Sequence, residues 1–197
     1  MVCIVHFRYY IKHQPSPVNF DSKQKYLTIN SSTTSVGLVA NPVSARDIRR
    51  VIANATSLQV ADRANIIMRV LAAMSACGVN QVLMMPENGG ICSLLKRGLQ
   101  REQKLGDNRF PKLEMTDTPI SGTVDDTFAA TQAMVASGVK AIVVLGGDGT
   151  HRAVVKVCGQ VPIAGISTGT NNAFPEHREP TITGLAVGMV ATGRIPE

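Results

Sequence analysis

Gly146-Gly147-Asp148-Gly149-Thr150 follows an uninterrupted apolar run, Ala141 to Leu145, and precedes a helical pattern that begins near His151. A buried strand therefore ends in a glycine turn that opens into a helix. Such a turn lets backbone N–H groups approach a ligand with no Cβ in the way. The N-terminus of the following helix adds N–H donors and a partial positive charge, and the two together suit a phosphate. Asp148 puts a carboxylate at the centre, placed to hold Mg2+ or to accept a proton from an attacking hydroxyl. The plainer alternative is an Asp that only caps a helix after a tight turn. No GxxxxGK[ST] occurs, and no GxGxxG follows the first strand, so neither the P-loop nor the dehydrogenase type of phosphate loop is present.

The elements that must hold this turn are regular from Val36 onward. Val36 to Ala40 reads as a strand closed by Asn41-Pro42. Ile48, Val51, Ile52 and Ala55 recur at helical spacing, as do Ile66, Ile67, Val70, Leu71, Met74 and Cys77, with Gly78 as a stop. Gln81 to Met85 is the next strand, ended by Pro86. Ile91, Leu94, Leu95 and Leu99 mark a helix with a basic outer side, and Lys112 to Thr116 a short strand. Val124, Phe128, Thr131 and Val135 mark a helix that Thr123 caps, with Asp125 and Asp126 in its first turn, where the dipole favours them. After the 141–145 strand and a helix to about Cys158, Val161 to Ile166 is the fifth strand. A last helix runs from about Pro180 to Ala191, with Gly193 as its stop. Strands alternating with helices predict an α/β fold, a Rossmann-like doubly wound parallel sheet. Ligands then bind beyond the carboxyl ends of the strands. Three polar turns share that edge: Asn41 to Ser44, Gly146 to Thr150, and Thr168 to Phe174.

The 197 residues suit one ordinary domain, and 44% hydrophobic content is enough for a sizeable core. No run approaches the ~18 apolar residues of a membrane span. Cys3, Cys77, Cys92 and Cys158 lack CxxC or His-adjacent spacing, so reduced thiols in a cytoplasmic protein and no zinc site are expected. Residues 1–35 differ from the rest. They hold all three tyrosines, the Pro15-Ser16-Pro17 break and four basic residues against one acid, which is half of the net charge of +6. The apolar start, Val2 to Val5, is too short for a signal-peptide core. Residues 1–35 are expected to be a poorly ordered extension ending in the polar linker Ser31 to Ser35, and residues 36–197 a nucleotide-binding domain. That domain is only mildly basic, which favours small anionic ligands and does not demand nucleic acid.

The three turns in order resemble one superfamily. GGDGT after an apolar strand is similar to the signature shared by NAD kinases and by diacylglycerol and sphingosine lipid kinases. Asn41-Pro42-Val43-Ser44-Ala45 resembles the NPxSG turn of lipid kinases, and Gly169-Thr170-Asn171-Asn172-Ala173-Phe174 their GTGNDFA segment. The nearest resemblance is to the NAD-kinase-like acetoin catabolism protein X family, in NPVSARDIRR, LGGDGTxRAV and STGTNN. The resemblance covers residues 36–197. It implies that Asn41 and Ser44 sit near the nucleotide, that Gly146, Gly147, Gly149 and Thr150 line the phosphates, and that Gly169, Thr170 and Asn172 form the facing wall. Asp148 would be the general base or the Mg2+-associated carboxylate. ATP and Mg2+ are the implied cofactors and NAD the implied acceptor. Asn171 and Ala173 stand where lipid kinases carry Gly and Asp, which weakens a lipid acceptor. These kinases carry a second, mostly β domain. The chain stops at Glu197, so that half is expected to be missing, leaving a weakly active domain that associates through the exposed interface.

Other residues carry less. His151 reads as a solvated first-turn residue, and Arg152 either as a phosphate ligand or as an exposed helix Arg. Thr116, Asp117 and Thr118 read as a turn that lies on the ligand edge. Gly184 and Gly188, four apart, suggest close helix packing. Arg46, Arg49 and Arg50 form a basic patch. Three functions remain open: an NAD-kinase-like phosphotransferase, a non-catalytic nucleotide-binding or regulatory module of acetoin catabolism, and an inactive truncated product. A lipid kinase is a variant of the first.

Overall fold

The computed structural model describes residues 33–42, 59–106, 109–168 and 178–195. The extension over residues 1–32, the helix expected at Ile48 to Ala55, the patch Arg46, Arg49 and Arg50, and the site candidates Ser44, Gly169, Thr170 and Asn172 lie outside them. Within the described residues the chain runs β1 (Ser35–Ala40), α1 (Val60–Ala76), β2 (Gln81–Met84), α2 (Ile91–Lys104), β3 (Lys112–Met115), α3 (Val124–Ala136), β4 (Ile142–Gly146), α4 (Asp148–Val157), β5 (Ile163–Ser167) and α5 (Pro180–Ala191).

The strands form one parallel sheet in the order β3-β2-β1-β4-β5. The fold is thus the expected α/β doubly wound type. The chain moves outward from β1 to β3, then returns to the other side of β1 for β4. The carboxyl ends of β1 and β4 therefore flank the crevice where such sheets bind ligands. Every residue of β1 and β4 is buried, because helices cover both faces. Ser35, expected in the linker, is already in β1. It pairs with Gln81 and is buried.

Side chains alternate between two cores. Leu38, Val143 and Leu145 join Ile67, Leu71 and Met74 of α1, Leu95 of α2 and Val187 of α5 on one face. Val39, Ile142 and Val144 join Ala130 and Met134 of α3 and Val154 of α4 on the other. Each fully buried Leu or Ile contributes about 1.5–3 kcal/mol relative to exposure. Two close approaches fix these layers. Met134 lies over Gly37, where a Cβ would sit 2.9 Å from its sulfur. Gly184 and Gly188 bring α5 onto α1 as expected, since a Cβ at Gly184 would meet the Val70 carbonyl at 2.7 Å and one at Gly188 the Cys77 Cβ at 2.6 Å.

Local signals set the helix ends. Gln59 and Asp62 form a capping box at α1, and Gly78 ends it with φ 94°. Thr123 caps α3 by accepting from the Asp125 N–H, as expected. Among the described residues no helix is long and apolar enough to cross a membrane.

Candidate functional site

Gly146 belongs to β4, paired with Ser167 of β5. Gly147 is extended, with φ −88° and ψ −179°, and stands in the cap position of α4. Its carbonyl accepts from the N–H groups of Thr150 (3.0 Å) and His151 (3.2 Å). The helix therefore starts at Asp148, three residues before the expected point near His151. A glycine inside a first helical turn reads in sequence as part of the loop. Asp148 and Gly149 thus hold the first two helical positions, where N–H groups have no acceptor within the helix.

The three glycines serve different ends, and none takes a left-handed conformation. A Cβ at Gly146 would lie 2.6 Å from the Thr150 Cβ, so that glycine makes room for a buried Thr150. A Cβ at Gly149 would meet nothing within 4 Å. Open space therefore lies beside the first turn of α4, where the resemblance puts phosphate. Across the crevice the Asn41 N–H donates to the Leu145 carbonyl at 3.4 Å, which binds the β1 turn to the strand that ends in the glycines. The Thr168 N–H donates to the Gly146 carbonyl at 3.2 Å, so the third polar turn starts beside the second. Asn41, Gly146, Gly147, Asp148, Gly149 and Thr150 are thereby brought to one edge.

His151 is not the solvated residue expected. It is half-buried, its Nδ1–H donates to the Gly147 carbonyl at 2.9 Å, and its ring packs on Gly165 of β5. Arg152 is exposed.

A cleft of about 350 Å3 opens on the other side of the β1 turn, between the turns that follow β1, β2 and β3. Asn41, Pro42, Val60, Met85, Glu87 and Ile120 are among its walls. It does not include the glycine turn. Asn41 joins the two places, lining the cleft and bonding to Leu145. Two carboxylates shape the cleft. Glu87 accepts from the N–H groups of Gly89 and Cys92, the latter at 2.7 Å. Asp126 stands in the first turn of α3, as expected, and also turns back to accept from Ser121 N (2.7 Å), Ser121 Oγ (2.6 Å) and Gly122 N (2.7 Å). Burial alone would raise its pKa, but hydrogen bonds from Ser121 and Gly122 outweigh burial and hold it below the ordinary carboxylate range. Cys92 has its thiol pushed up to about 12, first by burial and then by the Glu87 charge. Cys77, Cys92 and Cys158 are buried.

Arg63 was not singled out in the sequence. It is 3% exposed, and its Nη1 donates to the carbonyls of Asn41 (2.9 Å) and Pro42 (3.4 Å). The signal was present: Arg63, Ile67, Val70 and Met74 share one helix face, which puts an arginine in a core stripe. Likewise Glu87 and Ser121-Gly122 follow strands on the ligand edge, so the edge rule reaches them.

A doubly wound sheet with GGDGT at its switch point defines a nucleotide domain of the kinase superfamily named above. The ATP-NAD kinase N-terminal domain family matches residues 36–195, and the chain belongs to that family. It is 62% identical over 161 residues to acetoin catabolism protein X from Cupriavidus necator, a match covering 82% of this chain. The chain spans 45%, about half, of the length of that relative. No solved structure shows a significant match.

Proposed function

We propose that the chain supplies the nucleotide half of an ATP-dependent phosphotransferase, with NAD the first acceptor to test. The observation that carries this reading is the open space at Gly149 on the N-terminus of α4, next to Asp148 at the switch point. The β- and γ-phosphates would lie against the first-turn N–H groups of α4, favoured by the helix dipole. The adenosine would extend past Asn41 into the cleft, whose size falls within the ordinary range for small-molecule sites. Ser44, Gly169, Thr170 and Asn172 would complete the walls.

The donor set suits Mg2+ carried in by the nucleotide. Among the described residues no group of three His, Cys, Asp or Glu could hold a metal. Mg2+ needs only one or two carboxylates when phosphates and waters supply the rest, and Asp148 provides one. Mg2+ bound there would neutralise charge on the phosphoryl oxygens. In the alternative role Asp148 would orient the acceptor hydroxyl and take its proton.

A second reading, a non-catalytic nucleotide-binding module, draws support from the relative's name, which mentions acetoin catabolism and no reaction. Turnover separates the two. Joined to the half of that relative which the chain does not span, the protein should convert NAD to its phosphate with Mg2+-ATP, and Asp148→Asn should remove nearly all of that activity while leaving the circular dichroism unchanged. Nucleotide binding without turnover favours the second reading. An Asn variant as active as the parent removes Asp148 from the chemistry.

A row on α5, Ile182 (63% exposed), Leu185 (37%) and Met189 (38%), supports the expected association through an apolar face.

A further inference from the structure

We propose that Arg63 is a positioning residue for the nucleotide, acting through the Asn41-Pro42 turn. The proposal rests on the reading above that Mg2+-ATP occupies the switch-point crevice. Arg63 is not among the residues lining the cleft. It lies in the first turn of α1, almost fully buried, and its Nη1 holds two consecutive carbonyls, Asn41 at 2.9 Å and Pro42 at 3.4 Å. Guanidinium stays charged in proteins, and hydrogen bonds from a charged donor are the stronger kind. Both carbonyls are thereby turned toward α1. Released, they are free to swing their negative ends toward the crevice, where they would oppose a phosphate.

The turn that Arg63 holds is joined to two others. The Asn41 N–H donates to Leu145, one residue before the glycines. The Pro42 ring packs on Gly89 so closely that any side chain at 89 would collide with it. Val60, three residues before Arg63, is itself a wall of the cleft. Arg63 therefore sets the spacing of the turns after β1, β2 and β4, which together frame the base and phosphate ends of the site. A lysine could do this only in part, since its ammonium is a strongly hydrated point charge on a flexible stem, whereas the guanidinium is planar and more weakly hydrated and so suits a buried site.

The experiment is calorimetric titration of Mg2+-ATP into the parent, Arg63→Met, Arg63→Lys and Arg63→Ala, with circular dichroism on each. The parent binds. Arg63→Met keeps bulk and stem and should bind about tenfold or more weakly, the scale of one lost charge-assisted hydrogen bond. Arg63→Lys should fall between them. Millimolar guanidinium should restore affinity to Arg63→Ala, while equal methylammonium should not. Rescue of affinity without a change in the urea midpoint of the ligand-free variant separates positioning of the turn from a merely structural role. A folded Arg63→Met with parental affinity overturns the proposal. Should Arg63→Met fail to fold, parental affinity in Arg63→Lys overturns it. Absence of rescue by guanidinium also overturns it. A parent that does not bind Mg2+-ATP defeats the reading of the site itself, and that result appears before any variant is made.

Discussion

The imidazole of His151 occupies the space that a side chain at Gly165 would fill, while its Nδ1–H holds the Gly147 carbonyl at 2.9 Å. The glycine turn after β4 is thus braced from β5, the neighbouring strand. A methyl at Gly165 must displace the ring and so loosen the cap of α4.

Gly165→Ala is therefore expected to destabilise the fold by about 1–3 kcal/mol, the usual cost of overpacking. In a His151→Ala background the same change should cost much less, with a coupling of about 0.5–3 kcal/mol. Urea denaturation of the four proteins of the cycle measures it. Additive effects would show that the ring and the glycine do not share that space.

Asp126 gives the stability an acid limb. Its folded pKa lies below the ordinary value because the Ser121 and Gly122 hydrogen bonds outweigh burial. A depressed carboxylate contributes stability above its unfolded pKa, about 3.9, and loses it as pH falls through the lower folded value. The urea midpoint should drop as pH is lowered below about 4. Asp126→Asn should cost about 1–3 kcal/mol at neutral pH by weakening three hydrogen bonds, and should flatten the acid limb. An unchanged limb in the Asn variant would contradict this role.

Cys92 should be chemically quiet. Its thiol is buried and raised to about 12, so almost no thiolate, the reactive form, exists near neutrality. Iodoacetamide at pH 8 followed by peptide mapping should label Cys92 in the native protein far more slowly than in urea. Equal rates would mean that the Glu87 turn opens readily.

The strands and helices were legible because their apolar spacing follows simple periods, and the GGDGT turn because three glycines after a buried strand have few other uses. What stayed hidden depends on which strand ends become neighbours. The order β3-β2-β1-β4-β5 puts the β1 turn between the glycines and the cleft, and no local pattern states that order. His151 looked solvated because Gly165, which accepts its ring, lies on another strand. Asp148 looked like a loop residue because two glycines flank it. Arg63 shares a face with Ile67, but an arginine in an apolar stripe reads as a break in the stripe until its carbonyl partners are seen. Of the expected site, Asn41 and Gly146 to Thr150 do come to one edge, whereas Ser44, Gly169, Thr170 and Asn172 lie outside the described residues.

Phosphate placement at the first turn of α4 is tested by the thermal shift of the parent and of Gly149→Val with and without Mg2+-ATP. Val and Gly differ by only a few tenths of a kcal/mol in a helix, and a Cβ at 149 meets nothing, so the ligand-free variant should melt close to the parent. At a hundredfold excess over Kd the parent should gain about 2.7 kcal/mol from Mg2+-ATP, and the variant almost nothing. A folded Gly149→Val protein that gains as much as the parent would contradict a phosphate site at this turn.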